Sequence, residues 1–321
     1  MTRPLGLLAC LVFLASPATA GEFAPGGNAS PLTRPFALPS LGETAITPPG
    51  RPDVRITFDA ANEYATEGSC ASECILLDGE TRRMRIDYRG ALGNGWDYSL
   101  HVPMLDRGGG FLDSWIQDWH GWFGLPNGGR EFATEDQYRY RYVRDGVTLL
   151  DEIEEVNGLG DVALGLGTAL GQDSALRAML KFPTGDGAAL SGDNLGGAVW
   201  VDLGLPLPRT WSGYLSAGYS RNERGEVLTA MQNEEVFFGG LGLLVPVTAD
   251  TRLSLQGNAH TQLYDGATVT PLARKGAPVT IGLQWQTGAD SVFDIGIQED
   301  ASVNGSPDFA VYVSYGTSRR R

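Results

Sequence analysis

The chain has little cysteine, little histidine and, beyond its first twenty residues, no long apolar run. Cys10, Cys70 and Cys74 are its three cysteines, and His101, His120 and His260 its three histidines, in 321 residues. Structural zinc draws four ligands, and no histidine lies near Cys70-x-x-x-Cys74 in sequence, so that pair reads as a small disulfide staple and no metal is expected. No stretch after residue 20 approaches the roughly 20 apolar residues of a spanning helix, so membrane association must come from another design. Nucleic acid is excluded as a partner, because phosphate binding needs clustered cations, whereas this chain carries a net charge of -14 and a pI near 4.6. A Gly-x-Ser-x-Gly nucleophile elbow is also missing. Ser99 stands two residues from His101 on one strand face, a spacing too common to signify. No enzyme activity and no cofactor are therefore expected, with an outer-membrane hydrolase relying on His101, His120 or His260 kept as the second alternative.

What is present begins with Arg3, an apolar run from Leu5 to Ala15, and Ala18-Thr19-Ala20 before Gly21. That is the layout of a cleaved secretory signal peptide over 1–20. Cys10 sits in the middle of the apolar run rather than at its end, which argues against lipidation. Residues 21–52 hold Pro25, Pro31, Pro35, Pro39, Pro48, Pro49 and Pro52 with no sustained period, and read as an extended periplasmic leader.

From Asp53 a two-residue period takes over. Val54, Ile56 and Phe58 alternate with Arg55, Thr57 and Asp59; Met84, Ile86 and Tyr88 with Arg83, Arg85, Asp87 and Arg89; Val199, Val201 and Leu203 with Trp200 and Asp202. Twelve such segments fill 53–316. Alternation alone suits a sandwich as well as a membrane barrel; the connectors separate the two. Odd-numbered connections (65–80, 105–158, 184–195, 222–233, 261–276, 299–307) have at least nine residues, and even-numbered ones (92–95, 171–173, 206–210, 246–250, 288–290) at most five. Up-and-down outer-membrane barrels have tight turns on one side and long loops on the other. Aromatics near strand ends (Trp96, Tyr98, Phe182, Trp211, Tyr219, Trp285, Phe309, Tyr315) suit a lipid interface, and small residues on the polar face (Gly165, Gly167, Gly218, Gly282, Gly296) suit a narrow lumen. Glycine, at 44 residues, is close to twice the average usage of about 7%. The expected fold is therefore an all-β transmembrane antiparallel up-and-down barrel of about 12 strands, followed by a basic tail over 317–321.

Lumen-facing charges follow from the alternation: Arg55, Arg83, Arg85, Arg89, Asp97, His101, Arg177, Lys181 and Asp202. A lumen of both signs more often means mutually satisfied pairs than a selectivity filter, although a field across a narrow pore is a route to selectivity. The acidic run Asp151-Glu152-Ile153-Glu154-Glu155 reads as a solvated loop.

The long third connector holds "DSWIQDWHGWFGLPNGGR". Phe111, Leu112, Trp115, Ile116, Trp119, Trp122 and Phe123 recur at helical spacing, which predicts an amphipathic helix over 111–123 stopped by Gly124 and Pro126. Three placements compete: in the lumen as a constriction, at the rim as a lid, or in the outer leaflet. Lumen or rim is favoured, with Trp115, Trp119, His120, Trp122 and Phe123 as its constriction or lid residues.

The Phe-Gly-Leu-Pro-Asn-Gly-Gly-Arg run at 123–130, preceded by this helix and followed by Gly158-Leu159-Gly160-Asp161 opening a strand, resembles an uncharacterised family of Gram-negative outer-membrane barrels of unknown function. Asn28-Ala29-Ser30-Pro31-Leu32 is similar to that family's amino-terminal Asn-Pro-Leu region, with two residues intruding. The resemblance implies architecture and an outer-membrane location, with membrane lipid as partner, and assigns no reaction. The functional expectation is a narrow passive channel or transporter for an unknown small solute. The alternative is a non-conducting surface or envelope-structural protein that binds a partner through its outer loops.

Overall fold

The computed structural model describes residues 23–24, 26–124, 129–208, 210–302 and 304–317. The proposed signal peptide, residues 125–128 of the Phe-Gly-Leu-Pro run and the last four residues of the basic tail lie outside the described residues. So do the side chains of His120 and Phe123.

Twelve strands close into an antiparallel barrel: β1 (Asp53–Ser69), β2 (Glu73–Gly93), β3 (Trp96–Gly108), β7 (Ala163–Ala169), β8 (Ser174–Lys181), β9 (Gly196–Gly204), β10 (Ser212–Asn222), β11 (Glu235–Pro246), β12 (Thr251–His260), β13 (Pro278–Gly288), β14 (Ser291–Asp300) and β15 (Phe309–Thr317). Each pairs with its neighbours in that order, and β15 pairs back onto β1, with Ile56 opposite Tyr315. Closure leaves the ring with no open edge. That is what hydrocarbon demands of a sheet, since it offers backbone N–H and C=O groups no partner. Short turns gather at the end where β1 begins and β15 finishes, and long connections at the other.

The alternation sorts as expected. Val54, Ile56, Phe58, Met84, Ile86, Leu164, Leu166, Leu180, Val199, Leu215 and Ile281 are exposed on the outside, while Arg55, Thr57, Asp97, Arg177, Asp202, Ser216, Gln284 and Asp294 are buried inside. Outward aromatic pairs flank this apolar band: Trp285 with Phe293 at the short-turn end, Tyr219 with Phe237 at the loop end. The glycines of the inner face make room for large rings. A Cβ at Gly218 would strike Trp200 and Phe238, and one at Gly282 or Gly296 would strike Tyr312.

Two connectors differ from the expected loops. Residues 65–80 continue β1 and β2 as a hairpin in unbroken register, from Asp53 opposite Arg89 to Ser69 opposite Glu73, closed by a Cys70–Cys74 disulfide. Residues 105–158 contain, besides α1 (Asp113–Phe123), the strands β4 (Arg139–Arg144), β5 (Val147–Glu152) and β6 (Val156–Leu159). β3 stops opposite Glu80, so β4 takes the free edge of β2 above that point. β6 takes the edge of β3 that β7 leaves bare. The acidic run is thus divided: Asp151 and Glu152 end β5, and Glu152 pairs with Arg107 at 3.1 Å.

The larger departure is the leader. Expected as an extended periplasmic segment, it runs inside the barrel. Phe23 packs edge-on to Tyr214 at 4.6 Å between ring centroids, and the Ala24 carbonyl accepts from Gln256 at 3.0 Å, about halfway up the wall. The chain climbs to Asn28, whose side-chain amide meets His260 at 2.9 Å, and to Ser30, which donates to Glu63. It turns through a short 3-10 helix at Pro31–Thr33 and descends past Asn222, Asp202 and Asp97 to the start of β1. Prolines and the lack of a period excluded a strand or helix for this segment; they did not exclude burial. Backbone groups of Ala24, Ala37, Gly42, Glu43, Ala45 and Thr47 are met by wall side chains instead of by a ladder.

Over the turn of the leader the outer connections close a roof. Leu32 and Phe36 join Ile75, Leu77, Tyr138, Tyr140, Tyr142, Met231, Leu263, Tyr264 and Leu272 in one buried apolar cluster.

Candidate functional site: the lumen between leader and wall

Side chains on the inner wall hold the descending leader by its backbone. Ala37 N–H donates to Asn222 at 2.7 Å, Gly42 N–H to Asp202 at 3.0 Å and Thr47 N–H to Asp97 at 2.9 Å. Gly42 adopts φ 95° and lies so close to Tyr214 that any Cβ there would collide with the ring, which is why glycine stands at this bend. Arg177 donates to the carbonyls of Glu43 and Ala45 at 2.8 and 2.7 Å while pairing with Asp97 at 3.2 Å. Asn194 donates to the Pro35 carbonyl at 2.7 Å, and Tyr264 to that of Leu32 at 2.7 Å.

Arg55, Arg83, Arg85, Arg89, Asp97, His101, Arg177, Lys181 and Asp202 stand on the inner face of the wall, and each has a polar partner. Arg55 pairs with Asp294 at 2.9 Å, Arg83 with Asp59 at 3.0 Å, Arg85 with Asp87 at 3.0 Å, and Lys181 with Asp161 at 2.7 Å. Arg89 reaches Glu43 of the leader at 2.6 Å and Asp53 at 3.3 Å. Asp202 receives Trp200 Nε1–H at 3.0 Å and the Ser216 hydroxyl. A buried charge without a partner is costly, and this wall satisfies its own.

Between the leader and the β1–β2–β3–β7–β8 side of the wall lies a cavity of about 270 Å³. Its lining extends from Asp53 and Thr317 at the short-turn end to Arg107 and Leu190 at the loop end, with Arg83, Arg85, Arg89 and Lys181 along one side and Leu38, Pro39 and Leu41 of the leader along the other.

The helix stands elsewhere. Its buried residue Ile116, and Leu112 just before its start, pack on Ala60 and Phe309, with Trp119, Ile297 and Val311 beside them. Ala60, Phe309, Ile297 and Val311 share the alternation of exposed Phe58, Ile295 and Val313, so α1 covers the outside of β14, β15 and β1 near their loop ends. Trp115 and Trp119 stack at 5.6 Å, Trp115 lies 4.8 Å from Phe309, and Trp122 projects outward. The expectation of a lumen constriction or lid at Trp115, Trp119 and Trp122 is corrected accordingly. The apolar stripe marks one sticky face, and the complementary apolar surface here is the outer wall. Polar side chains pin the helix start: Glu80 accepts from the Phe111 and Leu112 amides, and Asp113 accepts from Asn62 at 2.9 Å and pairs with Arg130.

Sequence reasoning missed the leader residues that narrow the lumen, Leu38, Pro39, Leu41, Gly42 and Glu43. It also missed that Asp87, His101 and Ser99 meet: His101 Nδ1 lies 2.7 Å from Asp87 and its Nε2 lies 3.0 Å from the Ser99 hydroxyl. The pairing Asp87 opposite His101 requires the β2–β3 register, which the short connection 92–95 could have supplied.

Among solved structures, the COG4313 outer membrane channel from Pseudomonas putida F1 is similar to this chain with a TM-score of 0.52 at 14% identity, covering 86% of this chain and 98% of that one. The toluene transporter TodX of P. putida matches at TM-score 0.44 and 12% identity over 96% and 100% of the two chains. The NanC porin matches at 0.43 and 11% over 84% and 100%. At 14% identity the likeness to the first of these concerns the fold alone, that of an outer-membrane barrel. No curated protein matches. The family described as protein of unknown function (DUF3187) matches residues 7–318, and the chain belongs to that family.

Proposed function

We propose that this protein is a narrow outer-membrane channel for small solutes whose constriction is its own leader, residues 23–50, folded up into the lumen. The observation that carries this reading is the cavity of about 270 Å³ running beside the leader between the two ends of the barrel. Twelve strands enclose more than side chains alone can fill, since eight-stranded barrels are packed and sixteen-stranded ones hold water; here the leader takes up the difference. The charges along the cavity are held in ion pairs and make its lining polar, with Arg and Lys outnumbering Asp and Glu in it. Planar-bilayer recording tests the proposal. Protein lacking residues 23–50, still folded as judged by heat-modifiable migration on gels, is expected to show larger unitary steps than the mature chain. Equal conductance would defeat it.

The apolar roof over the leader turn favours a second reading, a closed envelope protein that binds a partner through its outer loops. That reading requires no ion current from either form.

A further inference from the structure

We propose that Ser99, His101 and Asp87 form a hydrolytic site inside the lumen, acting on short-chain carboxylic esters admitted to the cavity. The three side chains line the same cavity. Asp87 Oδ1 stands 2.7 Å from His101 Nδ1, and Ser99 Oγ stands 3.0 Å from His101 Nε2. An ionised carboxylate only accepts, so Nδ1 is the ring nitrogen that carries a proton toward Asp87. Nε2 is then left as the acceptor for the serine hydroxyl, which is the tautomer that base-assisted attack requires.

The surroundings are arranged for the same purpose. Arg85 Nε donates to the other oxygen of Asp87 at 3.0 Å and fixes its orientation. Gly165 stands opposite Ser99 on β7, where a Cβ would collide with the hydroxyl, so the absence of a side chain clears the space in front of the nucleophile. Arg89 is directly across from Ser99 on β2, close enough in register to face an oxygen developing negative charge. Arg85 Nη2 is a buried donor that meets no hydrogen-bond partner among the described residues. Met179 and Leu105 offer apolar cavity wall for a short acyl chain.

In the forward step Ser99 Oγ bonds to the ester carbonyl carbon and its proton passes to His101 Nε2. The tetrahedral oxyanion then collapses, the C–O bond to the alcohol breaks, and the leaving alkoxide takes the proton from Nε2. Water, deprotonated by His101, attacks the acyl-Ser99 ester and releases the carboxylic acid, regenerating the hydroxyl. Ser99 and His101 are catalytic; Asp87 is a positioning residue. The proposal is independent of ion conduction, because a closed barrel with the same cavity would still hydrolyse and an open one without this chemistry would still conduct.

The test uses the detergent-folded mature chain, the small serine-directed reagent diisopropyl fluorophosphate, and 4-nitrophenyl acetate as substrate. Covalent phosphorylation mapped to Ser99 by peptide mass spectrometry is expected, together with acetate release. Both should be lost in Ser99→Ala and reduced by roughly 100-fold or more in His101→Ala, with each variant shown folded by heat-modifiable migration. Asp87→Asn, which removes the acceptor that fixes the ring orientation and tautomer of His101, is expected to lower kcat by roughly 100-fold or more with KM little changed, and Asp87→Glu to restore part of it. Folded wild-type protein that takes no label overturns the proposal. So does label persisting in Ser99→Ala, an unchanged labelling rate in His101→Ala, or a kcat in Asp87→Asn equal to that of the parent.

Discussion

Replacing Arg177 by alanine should release the descending leader from the wall. The guanidinium donates to two leader carbonyls, Glu43 at 2.8 Å and Ala45 at 2.7 Å, and lies between the carboxylates of Asp97 and Asp202. Hydrogen bonds from a charged donor are worth about 1.5–3 kcal/mol each, so the two together hold the segment by at least about 3 kcal/mol. Removing the cation also leaves Asp97 and Asp202 buried without it, and both of those accept leader amides. Every 1.4 kcal/mol is about tenfold in an equilibrium, so local opening of the leader should rise by roughly 100-fold or more. The readout is maleimide labelling of Thr44→Cys, a buried position between the two held carbonyls, in a chain beginning at Gly21 where Cys70 and Cys74 are already joined. Arg177→Lys keeps the charge but not the planar fork that spans two carbonyls, and an intermediate rate is expected. A labelling rate in the folded Arg177→Ala protein within two- or threefold of the parent would refute the reasoning.

Three further outcomes follow from the same contacts. Ile116 is fully buried between α1 and the outer wall, so Ile116→Ala should destabilise the helix contact by about 2–5 kcal/mol and lower the temperature of heat-modified migration, while unitary conductance stays unchanged; altered conductance would return the helix to the lumen. Asp308, in the loop before β15, is pushed up from 3.8 to about 6, chiefly by burial, with Arg130 opposing. The folded protein therefore keeps a proton that the unfolded chain releases near 3.8, and the stability it brings is present at low pH and lost as pH rises through about 6. Asp308→Asn should flatten thermal stability against pH across that window, and an unchanged slope would contradict it. Reducing the Cys70–Cys74 bond closes no large loop in reverse, so the stability loss should be at most about 2 kcal/mol, read from the same gel; unfolding of the barrel on reduction would contradict that.

The alternation made the wall legible, because lipid and lumen impose opposite chemistry on successive residues: Arg55 and Thr57 could only be inside if Ile56 and Phe58 were outside. The long connector could be seen to hold a helix, since Leu112, Trp115, Ile116 and Trp119 repeat at helical spacing, but the partner of that stripe could not be seen. Ala60 and Phe309 are unremarkable strand residues until the β1–β15 register puts them side by side. The leader was opaque for a different reason. Asp97, Asp202, Asn222 and Gln256 hold backbone groups of residues 24–47, and a backbone group carries no sequence signature of being held. Ser99 and His101 were visible as neighbours on one face, but Asp87 joins them only through cross-strand pairing.

Whether the leader lies within the barrel is open to one direct measurement. A Cβ built at Gly196 would stand 3.0 Å from the Cβ of Ala37 and 2.6 Å from Asn222 Oδ1, so the Asn222 side chain must shift and the two Cβ atoms part by about half an ångström to reach the spacing of disulfide-linked pairs. In protein carrying Ala37→Cys and Gly196→Cys, the account predicts a cross-link that forms on folding under mild oxidation, survives boiling in detergent and is cleaved by reductant. Folded barrel in which both thiols stay free and react readily with maleimide would place the leader outside, and the constriction with it.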